Sequence, residues 1–210
     1  MKKSAILLIV LGLSLLSCER KAEVTRNPAE DPIVEMSQYN DIVYNNKDLL
    51  FEWAYFKKCA QTEKTRALDL NEKENYKKLK AKLLPSAIQF ASDLGITKSD
   101  IEDMTEVKIN SKEEMESALV GLMLFSSMID RSLISGPQTK GGSLKDCFLE
   151  ATGIATGVAI VGSLTKGTMT KKAIKAVLKV VIKAGTRSVS GVGLALLAAE
   201  IAWCMLRNND

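Results

Sequence analysis

The 210-residue chain holds four cysteines, 25 carboxylates and 29 lysines or arginines, but no histidine. Without imidazole there is no Ser–His or Cys–His nucleophile pair and no histidine metal ligand. The commonest general base near neutral pH is missing too. What remains is carboxylate, lysine and thiol chemistry. The densest carboxylate group is Asp100, Glu102, Asp103 and Glu106. Hard cations take such oxygens, but a Ca²⁺ loop also needs a central glycine and a glutamate at its twelfth position, and neither is in place. The same carboxylates follow Ser99 at an expected helix start, where they complement the positive end of the backbone dipole. The sequence therefore names no catalytic residue, no metal site and no cofactor.

Ser163-Leu164-Thr165-Lys166 matches the Ser-x-x-Lys pattern of penicillin-binding enzymes. It lacks that family's companion motifs and its mixed α/β setting, so no activity is carried over.

The thiols divide by position. Met1-Lys2-Lys3 and an apolar run from Ala5 to Leu16 precede Leu15-Leu16-Ser17-Cys18. A basic start and an apolar stretch too short to span as a mature helix are the marks of an export signal. Leucine three residues before the cysteine and serine just before it resemble the lipobox of bacterial lipoproteins; Leu16 is bulkier than that position usually carries. The resemblance implies that residues 1–17 are removed, that Cys18 is acylated, and that the mature chain is held on a lipid bilayer in the cell envelope. An acidic block after the cysteine would resemble the surface-export signal of Bacteroidota lipoproteins. Glu19-Arg20-Lys21 is not such a block, so a periplasmic or a surface-facing position stays open.

The rest of the chain must fold behind that anchor. Hydrophobic residues make up 46% and aromatics only 5%, with four prolines and little β-branched alternation, which predicts an all-α protein. Residues 18–32 read as a tether, interrupted by Pro28 and Pro32. Residues 33–134 read as a helical domain. Its first stretch, 33–64, is one helix or two divided near Asn45-Asn46. Trp53 and Phe56 are expected in the core, with Tyr55 at its edge. Asn71-Glu72-Lys73-Glu74 predicts the start of the next helix, Pro85 a kink or restart, and Gly95 a left-handed stop. The lysines at 73, 77, 78, 80 and 82 read as a solvated face. Ser99-Asp100-Ile101-Glu102 opens a short helix. Ser111-Lys112-Glu113-Glu114 opens the most buried one, running to about Ile134.

Residues 135–143, with three glycines and Pro137, predict a linker. Gly141-Gly142 resembles the cleavage pair of bacteriocin leaders, but sits deep in the chain. Charge changes sign across this linker. Residues 18–140 carry 18 basic and 21 acidic side chains, whereas residues 141–210 carry 9 and 4. The basic tail, 144–210, divides into segments A (about 144–165), B (about 169–184) and C (about 189–206). Lys171, Lys175, Lys179 and Lys183 fall four apart on one face of B, placed to meet a membrane or another anionic surface. Gly153 and Gly157 on A, facing Ala195 and Ala199 on C, have the spacing of a glycine zipper. Two apolar segments flanking a basic amphipathic one resemble membrane-active bacteriocins in layout. The resemblance implies a tail that inserts into membranes; the plainer reading is a soluble helical subdomain with its lysines in water. Aromatics are too sparse in the tail for base stacking, which argues against nucleic acid as a partner.

With Cys18 lipidated, Cys59, Cys147 and Cys204 remain, in an oxidising compartment. Three pairings exist. Cys147 opens A and Cys204 closes C, so they meet if A and C run antiparallel with B lying across the pair. That arrangement is the expected one, and it leaves Cys59 as a small buried apolar residue. The reading is a non-catalytic, membrane-tethered envelope protein acting on an unknown envelope protein partner or on the bilayer. The alternative is a secreted, bacteriocin-like antibacterial factor.

Overall fold

A computed structural model of the chain describes residues 31–63, 66–130, 144–153, 167–183 and 190–206. The side chains at 58–63, 66–71, 144–145, 183 and 205–206 are excepted. Residues 1–30 with Cys18, the 135–143 linker, the later part of segment A with Gly157, and the Cys59 and Lys183 side chains lie outside the described residues.

Helices dominate, as the composition predicts: α1 (Ser37–Asn45), α2 (Lys47–Glu63), α3 (Arg66–Asp93), α4 (Lys98–Thr105), α5 (Lys112–Ile129), α6 (Leu144–Thr152), α7 (Lys171–Lys183) and α8 (Gly191–Leu206). The division of the first stretch falls at Asn46. Its Nδ2 donates to the Ile42 carbonyl at 2.8 Å and its N–H to the Val43 carbonyl at 3.1 Å, closing α1. Gly95 ends α3 with φ +61°. The Gly95 N–H bonds to the Ser92 carbonyl and the Ile96 N–H to the Ala91 carbonyl, the two crossed bonds of a glycine-terminated helix.

Three local expectations are corrected. α3 starts at Arg66, so Asn71–Glu74 lies inside it rather than at its end. Glu72 is buried there and accepts from Trp53 Nε1 at 2.9 Å, a partner far more specific than a cap. Pro85 does not start a new helix; α3 runs on through it. It sits on the solvent side with Ala81, so the carbonyl its missing N–H would have met can be hydrated. The cap of α4 is Thr97, not Ser99. Thr97 Oγ1 accepts from the Asp100 N–H, and Asp100 Oδ2 accepts from the Thr97 N–H at 2.8 Å. Ser111 does cap α5, accepting from the Glu114 N–H at 3.1 Å, while Glu114 reaches back to the Asn110 N–H at 2.6 Å.

A two-stranded ribbon was not expected. β1 (Ile33–Glu35) pairs antiparallel with β2 (Thr168–Thr170), matching Val34 to Met169. These two side chains are buried, and their strand neighbours are more exposed. The ribbon joins the start of the expected first domain to the tail.

That junction is general. Residues 31–210 form one unit, and its apolar cluster draws on both sides of the linker. The separate tail subdomain is therefore corrected to an integral part of one body. α5, buried without interruption from Ser117 to Ile129, is the centre, with α8, α3 and α1 against it. α8 is apolar nearly all round and buries Leu194, Ala195, Leu197, Ala198, Ala199, Ile201 and Ala202. Each large apolar side chain so buried contributes roughly 1.5–3 kcal/mol.

Candidate functional site

The tail meets the rest of the chain in three places, and the residues singled out by sequence fall largely on them.

The first is electrostatic. α7 turns Ile174, Val177, Leu178 and Val181 into the core and runs beside α4. This places Lys171 Nζ 3.2 Å from Asp100 Oδ1 and 3.4 Å from the Gly95 carbonyl. One turn on, Lys175 pairs with Asp103. The anion met by these two lysines is thus the carboxylate cluster of the same chain. Lys179 is exposed and adds to the positive field on Asp103. Among the described residues segment B lies against α4 and β2; most of segment A, which B was expected to lie across, is outside them.

The carboxylates answer to this arrangement. Partial burial raises the Asp100 carboxyl, but bonds from the Thr97 N–H and hydroxyl and from Lys171 outweigh it, holding the group below its ordinary value. Asp103 is held low by its hydrogen bond and charge attraction to Lys175. Glu102 is held low first by the Ile109 N–H, which it meets at 2.9 Å, and then by Lys108 and Lys98. Among the described residues, no three His, Cys, Asp or Glu side chains are grouped to hold a metal ion.

Exposed pairs are worth about 0–1 kcal/mol each, so the lysines orient α7 while its buried face holds it. Depressed carboxyl pKa values add stability that is full above the unfolded value, 3.8 for Asp, and is lost as pH falls through the folded value. The urea midpoint of the wild type should therefore drop as pH falls below about 4. In D100N/D103N the drop should shrink, with the fold kept at pH 7. An unchanged acid limb would show that other carboxylates govern it.

The second junction is polar and buried. Asp130, just past α5, is 1% exposed. Its Oδ2 accepts from Asn40 Nδ2 of α1 at 2.6 Å, and its Oδ1 from the Gly167 N–H at 2.8 Å. The Gly167 carbonyl in turn accepts from the Met36 N–H at 2.9 Å. One carboxylate thus fastens three chain segments. Nothing in its local sequence marks it; only its position after the largely apolar second half of α5 hints at burial. Nearby, Tyr39 donates to Asp93. Burial and that carboxylate push its phenol up to about 12.

The third is covalent and steric. Cys147 and Cys204 form a disulfide with Cα atoms 5.4 Å apart, the pairing expected from sequence, and α6 packs on α8 around it. Glu150 Oε2 lies 3.4 Å from Cys204 Sγ, a contact rather than a hydrogen bond because the bonded sulfur carries no proton. The zipper expectation is corrected on one side. Gly153 ends α6 with φ +71° and no described atom lies within 4 Å of where its Cβ would be, so among the described residues it is a helix stop and not a packing surface. Ala195 and Ala199 are fully buried, as packing residues should be, but the main neighbour of α8 is α5. The close approach lies at two other glycines. A methyl built on Gly121 would sit 2.1 Å from the Gly191 carbonyl oxygen. One on Gly191 would sit 2.3 Å from backbone atoms of Ser117 and Ala118.

Aromatic side chains finish the body. Trp53 is buried against Tyr76, centroids 4.9 Å apart, and its carboxylate partner Glu72 also meets Lys57 at 3.4 Å. Tyr55 is exposed, at the edge as expected, but Phe56 is only half-buried and outside the core cluster, a correction to its expected place in the core. Trp203, on the exposed edge of α8, escaped the sequence reading because its helix otherwise reads as core.

No protein-family model, curated protein or solved structure matches the chain.

Proposed function

We propose that this chain is a lipid-anchored, non-catalytic envelope protein. Cys18 carries the acyl chains, and the helical body works as a rigid module that binds a protein partner. The burial of α8 against α5 carries the choice between this and membrane insertion. A tail that inserts would have to leave the core it fills, exposing both helices and dragging α6 by the disulfide. No helix among the described residues is long and apolar enough to cross a membrane. α8, at 16 residues, extends about 24 Å against a hydrocarbon thickness of about 30 Å. A disulfide between Cys147 and Cys204 also fits a chain that matures outside the reducing cytoplasm.

Metabolic labelling with a palmitate analogue tests the anchor. The wild type should take up label, and Cys18→Ser should lose it together with membrane association. Label that persists in C18S would sink the proposal. Crosslinked capture from the native envelope should then recover a discrete partner. Dye release from anionic vesicles by the intact, oxidised protein would instead restore the membrane-disrupting alternative.

A further inference from the structure

The crosslink between α6 and α8 is open to attack from one side. Cys147 is fully buried, whereas Cys204 keeps 7% of its surface at the margin of the core. Against the Cys204 sulfur lies the carboxylate of Glu150, an exposed residue one turn along α6 from Cys147, with its Oε2 at 3.4 Å. That sulfur has no proton to give while the bond is intact, so what the contact supplies is charge.

Thiol–disulfide exchange determines what that charge does. The attacking species is a thiolate, which bonds to one sulfur and expels the other. Burial of Cys147 directs the attack to Cys204 Sγ. The S–S bond breaks toward Cys147, whose sulfur takes the electron pair and then a proton from water. A second thiolate attacks the added sulfur of the mixed disulfide and releases the Cys204 thiolate, which is protonated in turn. Two small thiols are thereby joined for each protein disulfide reduced. The leaving sulfur of Cys147 sits where a charge is poorly solvated, which slows the first step for every thiol.

Glu150 slows it unequally. A unit charge about 4 Å away changes such a rate by about fivefold even at the dielectric of water. The described charged side chains of α6 and α8 are Asp146, Glu150 and Glu200, all acidic. Those of Lys145 on α6 and Arg207 just past α8 lie outside the described residues. We propose that Glu150 is an electrostatic guard of the disulfide, selecting by charge which thiols exchange with Cys204: cationic thiols are admitted and anionic ones, glutathione among them, are held off. The inference concerns the folded body and does not depend on the anchor at Cys18.

The test reduces full-length oxidised protein, in neutral detergent at low ionic strength, with two thiols of opposite tail charge. The thiolate of cysteamine is net neutral; that of mercaptoethanesulfonate is doubly negative. Each rate is divided by the same thiol's rate on hydroxyethyl disulfide, which removes differences in acidity and nucleophilicity. Cysteamine should then be faster by about fivefold or more, and the ratio should shrink in about 1 M salt. Glu150→Gln, with its unfolding midpoint unchanged, should remove most of the ratio. Lys145→Gln and Arg207→Gln, which take away positive charge, should leave it standing. Alkylation and mass spectrometry of the first intermediate should find the added thiol on Cys204 and Cys147 free. A ratio near one in the wild type overturns the proposal. So does a ratio that Glu150→Gln leaves intact or that either cation variant abolishes, and so does the added thiol on Cys147. Rates that rise with urea and ignore thiol charge would mean that reduction waits on global unfolding, and would overturn it as well.

Discussion

Gly121→Ala destabilises the protein by about 3 kcal/mol or more, although alanine is the better helix former by about 1 kcal/mol. Propensity and packing pull in opposite directions here, and the distances decide. The added carbon would lie 2.1 Å from the Gly191 carbonyl oxygen, a backbone atom that no rotamer change can move. Relief requires α8 to back away from α5, and with it the buried stripe from Leu194 to Ala202. Gly191→Ala meets Ser117 and Ala118 backbone at 2.3 Å and should fail in the same way. Gly153→Ala is the contrast. No described atom lies near its would-be side chain, and only the strain of a left-handed φ, about 1 kcal/mol, opposes it. Urea unfolding of the three variants checks the order. If Gly121→Ala is as stable as the wild type, the two helices do not approach as described.

Loss of the Cys147–Cys204 crosslink should cost about 4 kcal/mol by the chain-entropy argument, given the 57-residue separation of its ends. C147A/C204A isolates this term better than serine, because Cys147 is fully buried and a hydroxyl there would need a partner. The urea midpoint of the double variant should fall to that of the reduced wild type. Mass spectrometry of unreduced proteolytic fragments should recover the 147 and 204 peptides joined. A double variant as stable as the oxidised wild type would mean the bond adds nothing, and separate peptides would mean it is absent.

Helices were legible wherever one signal dominated. Ser111 and Glu114 mark a start, Gly95 marks an end, and the Asn45-Asn46 pair marks a break, each acting through bonds a few residues long. Glu72 shows where such reading fails. Its spacing resembles a cap, but a buried indole N–H from another helix competes for the same oxygen and wins. The ribbon of residues 33–35 and 168–170 was invisible because three residues are too few to show a period of two. Charge was read in two halves, a carboxylate cluster set against a helix dipole and a lysine stripe in search of an anion. The two belong to each other, which only tertiary placement reveals. Small-residue packing was correct in kind. Ala195 and Ala199 are interior, but of the glycines they were matched to by spacing, Gly153 is a helix stop and Gly157 lies outside the described residues. Gly121 on a helix from the other half of the chain is the one that permits contact. Cysteine arithmetic found its pair because four thiols, one of them expected to carry lipid, leave few pairings.

The pairing of Val34 with Met169, and of Gly121 with Gly191, has a kinetic side. The earliest described strand waits for a partner made some 130 residues later, and the most buried helix waits for α8. Until α8 is made, α5 lacks its main neighbour and the core cannot be completed. A late-closing core of this kind would suit the export proposed above.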